Sequence, residues 1–361
     1  MAARDAAQCI DEQLRRYFLY DQYVDVVSAF HTLFTQAQEL VPTVAHFERY
    51  PRIPRPDGNA LRPDFTVVFN DGSGLAGEVS RLSLEPGSAE KLVRQVAKYD
   101  GLDTVPTVGG QLTTVTHCDV LLLMPMDVAN GAFQAIHERI DDAGHAYEPS
   151  VPPCLVQYSF DSNRYIFQRW PAAGNGELRE HARMLNDEGR PRGIGAWMER
   201  DSIKVKPALF SANKARHAFM NDPIIDLYLA THLWTKAFPE LAGGTPAGAR
   251  VKLEVSENGL TDDLAKRYGV VRKHDVQKAL DLLRRAKLAD RPASTDAWVV
   301  AFHELAKGRN EETQHVIARR LCTPSSSNEV ERMLAAERPV PVRRPHDQAS
   351  LFGSANLDEE T

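Results

Sequence analysis

The sequence predicts an α/β protein with a mixed sheet flanked by helices in its first half, followed by a smaller domain of helices and short strands. Three observations lead there. Strand-like runs rich in β-branched and aromatic residues alternate with segments of helical period, the pattern of a sheet covered by helices. Val120–Pro125 is a continuous apolar run of strand length, as expected for a strand buried on both faces. With 361 residues the chain also exceeds the ~250–300 at which single cores stop growing, so it divides into domains.

Along the first 40 residues, Leu14, Tyr17, Phe18, Val24, Val27, Phe30 and Leu33 recur at helical intervals and predict a helix. Val44 to Ile53 reads as extended, and Pro51, Pro54 and Pro56 break it. Phe65–Phe69 has strand composition, residues 70–74 (Asn-Asp-Gly-Ser-Gly) form a turn, and Leu75–Leu82 returns as a second strand. Leu92 and Val96, four apart, mark a helix over Ser88–Tyr99. A strand over Asp119–Met124, a helix over 127–143, and strands over Leu155–Phe160 and Tyr165–Trp170 follow. Pro171–Gly176 is the first boundary. The expected organisation is a first domain over 1–172, a connector or insertion over 173–220, a second domain over 221–322 and a flexible tail over 323–361.

In the second domain, Asp222 and Pro223 are expected to open a helix that runs to Phe238. Val251–Val255 reads as a strand. Thr261 is placed as the N-cap of a short helix ended by Gly269, and a longer helix runs from Lys273 to Leu288 with Val276, Ala279, Leu280 and Leu283 inward. Asp296–Phe302 reads as a returning strand.

Composition narrows the function. The apolar share of 43% and charged share of 25% are those of an ordinary globular protein. A net charge of -6 excludes a polycation, so affinity for nucleic acid must come from a local basic face. Cys9, Cys118, Cys154 and Cys322 lie far apart without a CxxC pair, which argues against a zinc ribbon and a secreted disulfide framework. No apolar run approaches the roughly 18 residues of a membrane span, and the expected location is cytoplasmic. Neither a P-loop, a GxGxxG, a GxSxG nor a zincin helix occurs.

The most informative stretch is a hairpin carrying two acids. Asp64 opens a hydrophobic strand and Glu78 lies in the strand paired with it. With residues 70–74 as the loop, Asp64 falls opposite Ser80 and Thr66 opposite Glu78, all on one face because strand side chains alternate. Two neighbouring carboxylates repel, and burying them is costly unless a divalent cation sits between them. Oxygen-only ligation of that kind suits Mg²⁺ or Mn²⁺.

Pro63-Asp64, Glu78 on the next strand, and a helix bearing Gln95-Val-Ala-Lys-Tyr99 together resemble the PD-(D/E)XK nuclease superfamily. The Gln-x-x-x-Tyr element resembles that of its RecB-like members, and the resemblance covers about residues 40–125. It implies a PD-(D/E)XK-type mixed sheet and metal-assisted phosphodiester hydrolysis, with Asp64, Glu78 and the Val79 carbonyl as metal ligands. The chain departs from the family at Ser80, where the family's lysine belongs. Lys91 lies in one helical row with Gln95 and Tyr99 and is the expected substitute. Lys91 would orient or deprotonate the attacking water, and Gln95 would position it.

Residues 222–302 resemble a winged helix-turn-helix. Between Thr261 and Arg291 stand nine Lys/Arg against five Asp/Glu, a local excess in an acidic chain. The resemblance implies DNA as partner: Arg272, Lys273, His274 and Gln277 open the helix that enters the major groove, and Arg284, Arg285 and Lys287 face phosphates. In the tail, Gln348-Ala-Ser-Leu351-Phe352 resembles the motif with which bacterial proteins dock on the sliding clamp. The expected function is an Mg²⁺-dependent DNA nuclease of repair or genome defence, alone or within a larger nuclease or defence complex. The alternative is a non-catalytic DNA-binding regulator or scaffold on a decayed nuclease fold.

Overall fold

The computed structural model describes residues 2–36, 44–80, 88–107, 110–141, 153–161, 164–169, 203–205, 214, 216–220, 223–243, 250–269, 271–292, 297–303, 305 and 312–323. The chain divides into two compact units, Gln22–Asn221 and Met1–Asp21 with Asp222–Thr361. Helix α1 (Ala2–Gln36) therefore belongs in part to each, whereas the sequence reading places residues 1–172 in one domain. Most of the expected connector and nearly all of the tail, including Gln348, Leu351 and Phe352, lie outside the described residues.

The unit Gln22–Asn221 is built on a mixed sheet. Its strands begin with β1 (Val44–Arg49), β2 (Ile53–Pro54), β3 (Ala60–Leu61), β4 (Phe65–Phe69) and β5 (Gly74–Val79). After α2 (Ser88–Ala97) come β6 (Thr104–Pro106), β7 (Leu112–Thr114) and β8 (Cys118–Pro125). Helix α3 (Met126–Asp141) leads to β9 (Cys154–Asp161), β10 (Arg164–Arg169) and β11 (Ile203–Val205). The main sheet has seven strands in the order β1-β4-β5-β8-β9-β10-β11. Its centre, β5-β8-β9, is parallel, with α2 on the first crossover and α3 on the second, and both flanks are antiparallel. In β8 every residue but Pro125 is buried, the reason its sequence lacks alternation.

Two different cores cover the two faces. Val68, Ala76, Val120 and Leu122 join Leu92, Val96, Phe133 and Ile136 in the core under α2 and α3. On the opposite face, Phe65 stacks with Phe30 of α1 at 5.6 Å and with Phe47 at 5.3 Å between ring centroids. The Phe65 ring also lies across the ladder on Gly77, where an added Cβ would stand 2.1 Å from it. Only glycine fits there. Strands β3, β6, β7 and β11, of two or three residues each, were not foreseen, because segments so short show no period.

In the other unit, α4 (Asp226–His232) passes through a π-turn, Leu233–Ala237, into α5 (Phe238–Leu241). Strand β12 (Val251–Val255) is followed by α6 (Glu257–Tyr268), α7 (Lys273–Arg285), β13 (Ala289–Asp290), β14 (Trp298–Phe302) and α8 (Thr313–Cys322). The three strands form an antiparallel sheet in the order β12-β14-β13.

Several local expectations are corrected here. The first helix starts at Asp226, after Ile225 in extended conformation, so the start expected at Pro223 is too early. The cap of α6 is Ser256, whose hydroxyl accepts the Gly259 N–H at 3.0 Å. Thr261 lies inside that helix, its hydroxyl donating to the Glu257 carbonyl at 2.7 Å. Phe18, one of the apolar positions that mark the period of α1, is 46% exposed. Helix α8 was not foreseen, and its Cys322 forms a disulfide with Cys9 across 313 residues. Spacing arguments address short frameworks and miss a pair so remote in sequence. Among the described residues no helix is long and apolar enough to cross a membrane.

Candidate active site

The two acids are brought together by the hairpin β4–β5. Its turn is an Asx type: the Ser73 N–H and hydroxyl both donate to Asp71 Oδ1, at 2.8 and 2.6 Å, and Gly72 takes φ 83°. The last ladder pair before the turn is Val68 with Gly74, and the first is Phe65 with Gly77. The pairing is thus displaced by two residues from the expected one. Thr66 faces Ala76, and the ladder ends at Phe65 with Gly77, so Asp64 and Glu78 stand just beyond it, each next to that last pair. A shift of two preserves the face of every side chain within the ladder.

The ladder is irregular at its mouth. The Asp64 N–H donates to the Gly77 carbonyl at 2.9 Å, and the Tyr50 N–H donates to the Asp64 carbonyl at 2.8 Å. Asp64 Oδ2 accepts the Val79 N–H at 2.8 Å, a donor that would otherwise serve the ladder. Val79 is itself buried, beside Asp64.

Glu78 is held from above by α2. Gln95 donates its Nε2 to Glu78 Oε1, and the Tyr99 hydroxyl donates to Oε2 at 2.9 Å. Asp64, Glu78 and Tyr99 are all buried, at 7%, 8% and 3% exposure. Burial, then the negative charge of Glu78 and that of Asp64, push the Tyr99 phenol above its ordinary range, so it remains a donor. The helical row runs from core to solvent: Tyr99 is buried, Gln95 half-buried and Lys91 exposed. Gln95 is brought to the site, while Lys91 stays at the solvent end of the row. Ser80 is buried, and its N–H is committed to the Leu123 carbonyl at 2.8 Å. Tyr99 and Thr66 belong to this patch without having been assigned a role; the Gln-x-x-x-Tyr pattern pointed to the first and strand parity to the second.

The donor set fits a small divalent cation. Among the described residues no group of three or more His, Cys, Asp or Glu could hold a metal. Mg²⁺ does not require one, because it keeps several waters and is bound through one or two carboxylates with substrate phosphates. A carboxylate oxygen can accept from, or ligate, more than one partner. Asp64, Glu78 and the Val79 carbonyl are therefore an adequate oxygen set.

Helix α7 presents the second group of expected residues. Val276, Ala279, Leu280, Leu282 and Leu283 are buried, while Arg272, Lys273, His274, Gln277, Arg284 and Arg285 are exposed along the other side. The Arg272 N–H donates to Asp275 Oδ2 at 3.2 Å and closes the helix start. His274 lies 3.1 Å from Asp275 and Arg284 2.9 Å from Asp281, local pairs that leave the row outward. Sequence reasoning missed Glu257. It is buried at 8%, accepts the Trp298 indole N–H at 3.0 Å, and pairs with Arg291 at 3.3 Å and Lys273 at 3.9 Å. A glutamate opening a helix reads as solvated, so no sequence signal marked it.

Neither a family model, nor a curated protein, nor a solved structure matches this chain.

Proposed function

We propose that this protein is a metal-dependent nuclease that hydrolyses phosphodiester bonds in DNA, in repair or genome defence. The observation that carries the reading is the pair Asp64 and Glu78, buried on one sheet face, with Gln95 and Tyr99 of α2 donating to Glu78. The resemblance to PD-(D/E)XK nucleases in order of elements and in motif supports it.

In this reading Asp64, Glu78 and the Val79 carbonyl hold Mg²⁺ or Mn²⁺. Bound there, the cation supplies a lowered pKa for water and charge stabilisation on phosphate oxygens. Tyr99 and Gln95 would fix the Glu78 carboxylate in place. Lys91, at the solvent end of the row, meets the incoming phosphate and orients the attacking water. The second unit is read as a winged helix: β12, α6, α7 and the β13–β14 pair follow its order, and α7 offers Arg272, Lys273, His274, Gln277, Arg284 and Arg285 to DNA. The tail motif Gln348, Leu351 and Phe352 is read as a dock for the bacterial sliding clamp.

A second reading, a DNA-binding scaffold without catalysis, is favoured by one observation. Ser80, at the place of the family's lysine, is buried, and Lys91, the expected substitute, is exposed. Cleavage of supercoiled, linear and single-stranded DNA with Mg²⁺ or Mn²⁺ separates the two. Cutting by wild type, lost in Asp64→Ala and Glu78→Ala and reduced in Lys91→Ala, is the expected result. DNA binding without cutting under every condition would give the scaffold reading its proof.

A further inference from the structure

The face that carries Asp64 and Glu78 also carries a buried group that the mechanism does not use. Thr66 is 1% exposed, and its hydroxyl has no hydrogen-bond partner among the described residues. The ladder places it opposite Ala76, one step from Asp64 on its own strand and diagonal to Glu78. Residues two apart on a strand share a face, so the three side chains form one polar patch. Across the other strand boundary Thr66 faces Glu48 of β1, whose carboxylate is taken by His46 at 2.9 Å.

A threonine here is not explained by packing. Valine has nearly the same shape and equal strand preference, and Val67 and Val68 follow directly. A buried hydroxyl without a partner costs roughly 1–3 kcal/mol. Such groups are ordinarily satisfied by an ordered water with two to four polar partners. The polar groups nearest along the strands are the two carboxylates of the site and Glu48 across the ladder, while the directly paired Ala76 offers none.

We propose that Thr66 is a positioning residue of the carboxylate site, its hydroxyl accepting a hydrogen bond from a water in the shell of the divalent cation held by Asp64 and Glu78. The inference rests on the metal-dependent reading above. In that role Thr66 would orient the water from the sheet side. Outer-shell partners of this kind orient the inner shell, and their loss weakens metal affinity about 10–100-fold.

The test is Mn²⁺ binding to the full-length protein, followed by the electron paramagnetic resonance of free Mn²⁺, for wild type, Thr66→Val and Thr66→Ser, with Asp64→Ala as control. Thermal unfolding in metal-free buffer accompanies it. The expected result is about tenfold weaker Mn²⁺ binding in Thr66→Val, near wild-type binding in Thr66→Ser, and a metal-free Thr66→Val that melts no lower than wild type. Equal affinity in Thr66→Val and wild type overturns the proposal and leaves the metal reading standing. A loss of affinity matched by a loss of metal-free stability and not restored by serine assigns Thr66 to packing and overturns it as well. Wild type that binds no Mn²⁺ overturns the metal reading itself, and this role with it.

Discussion

Glu78 illustrates how a single buried carboxylate organises its surroundings. Both of its oxygens accept from α2, one from Gln95 and one from Tyr99, so the helix is tied to β5 by two charge-assisted bonds. Removing the Tyr99 hydroxyl leaves a buried acceptor underserved. Tyr99→Phe is therefore expected to lower the unfolding free energy by roughly 1–3 kcal/mol, measured by urea denaturation. A change near zero would mean that water replaces the phenol and that Glu78 is wetter than its burial indicates. The acids themselves were legible in the sequence because strand parity survives an error of register. An expected loop one step out of place moved the pairing by two residues, and two is the period of the strand. What was not legible was the partner of each oxygen, since Lys91, Gln95 and Tyr99 occupy equivalent places in a helical row and only depth of burial distinguishes them.

At the scale of elements, α1 packs on β1 through a histidine. The His31 ring is parallel to Phe47, with an interplanar angle of 2° and centroids 4.7 Å apart. Burial, reinforced by Arg49, His217, Arg216 and His46, pushes the His31 pKa down to about 3. His217, likewise buried and close to Arg49 and Arg216, is pushed down to about 4. Both folded values lie below the ordinary histidine value of 6.5, so on acidification the unfolded chain takes up protons first. The stability these groups contribute is complete above pH 6.5 and is lost as pH falls toward 4 and then 3. Carboxylates titrate in the lower part of that window, so the difference between wild type and His31→Gln isolates the effect. The variant is expected to lose stability less steeply between pH 6.5 and 4, followed by urea unfolding at fixed pH; parallel profiles would exclude His31 as a source. The long helices and the central strands were predictable from period and composition. Caps were less so: Ser256 and Thr261 both suit an N-cap, and the choice between them depends on where β12 ends.

For the whole molecule, segments remote in sequence are joined. Residues 1–21 group with the C-terminal unit, and within it the disulfide Cys9–Cys322 joins α1 to α8. A cross-link over 313 residues removes much chain freedom from the unfolded state, and native disulfides typically contribute about 2–4 kcal/mol. Reductant is expected to lower the melting temperature of wild type and to leave Cys9→Ser unchanged, with the variant melting where reduced wild type does. Identical melting of wild type with and without reductant would show that the link bears no load in folding. By itself, the sequence determined the alternation of strands and helices, the buried centre of the sheet, the shared face of Asp64 and Glu78, and the exposed basic side of α7. These follow from local period and side-chain chemistry, which act over a few residues. Tertiary structure alone decided the order of strands, the register of β4 on β5, the donors on each Glu78 oxygen, the buried Glu257 and the partner of Cys9. Each of those is a contact between segments remote in sequence, selected by packing over the whole chain and leaving no local periodic signal.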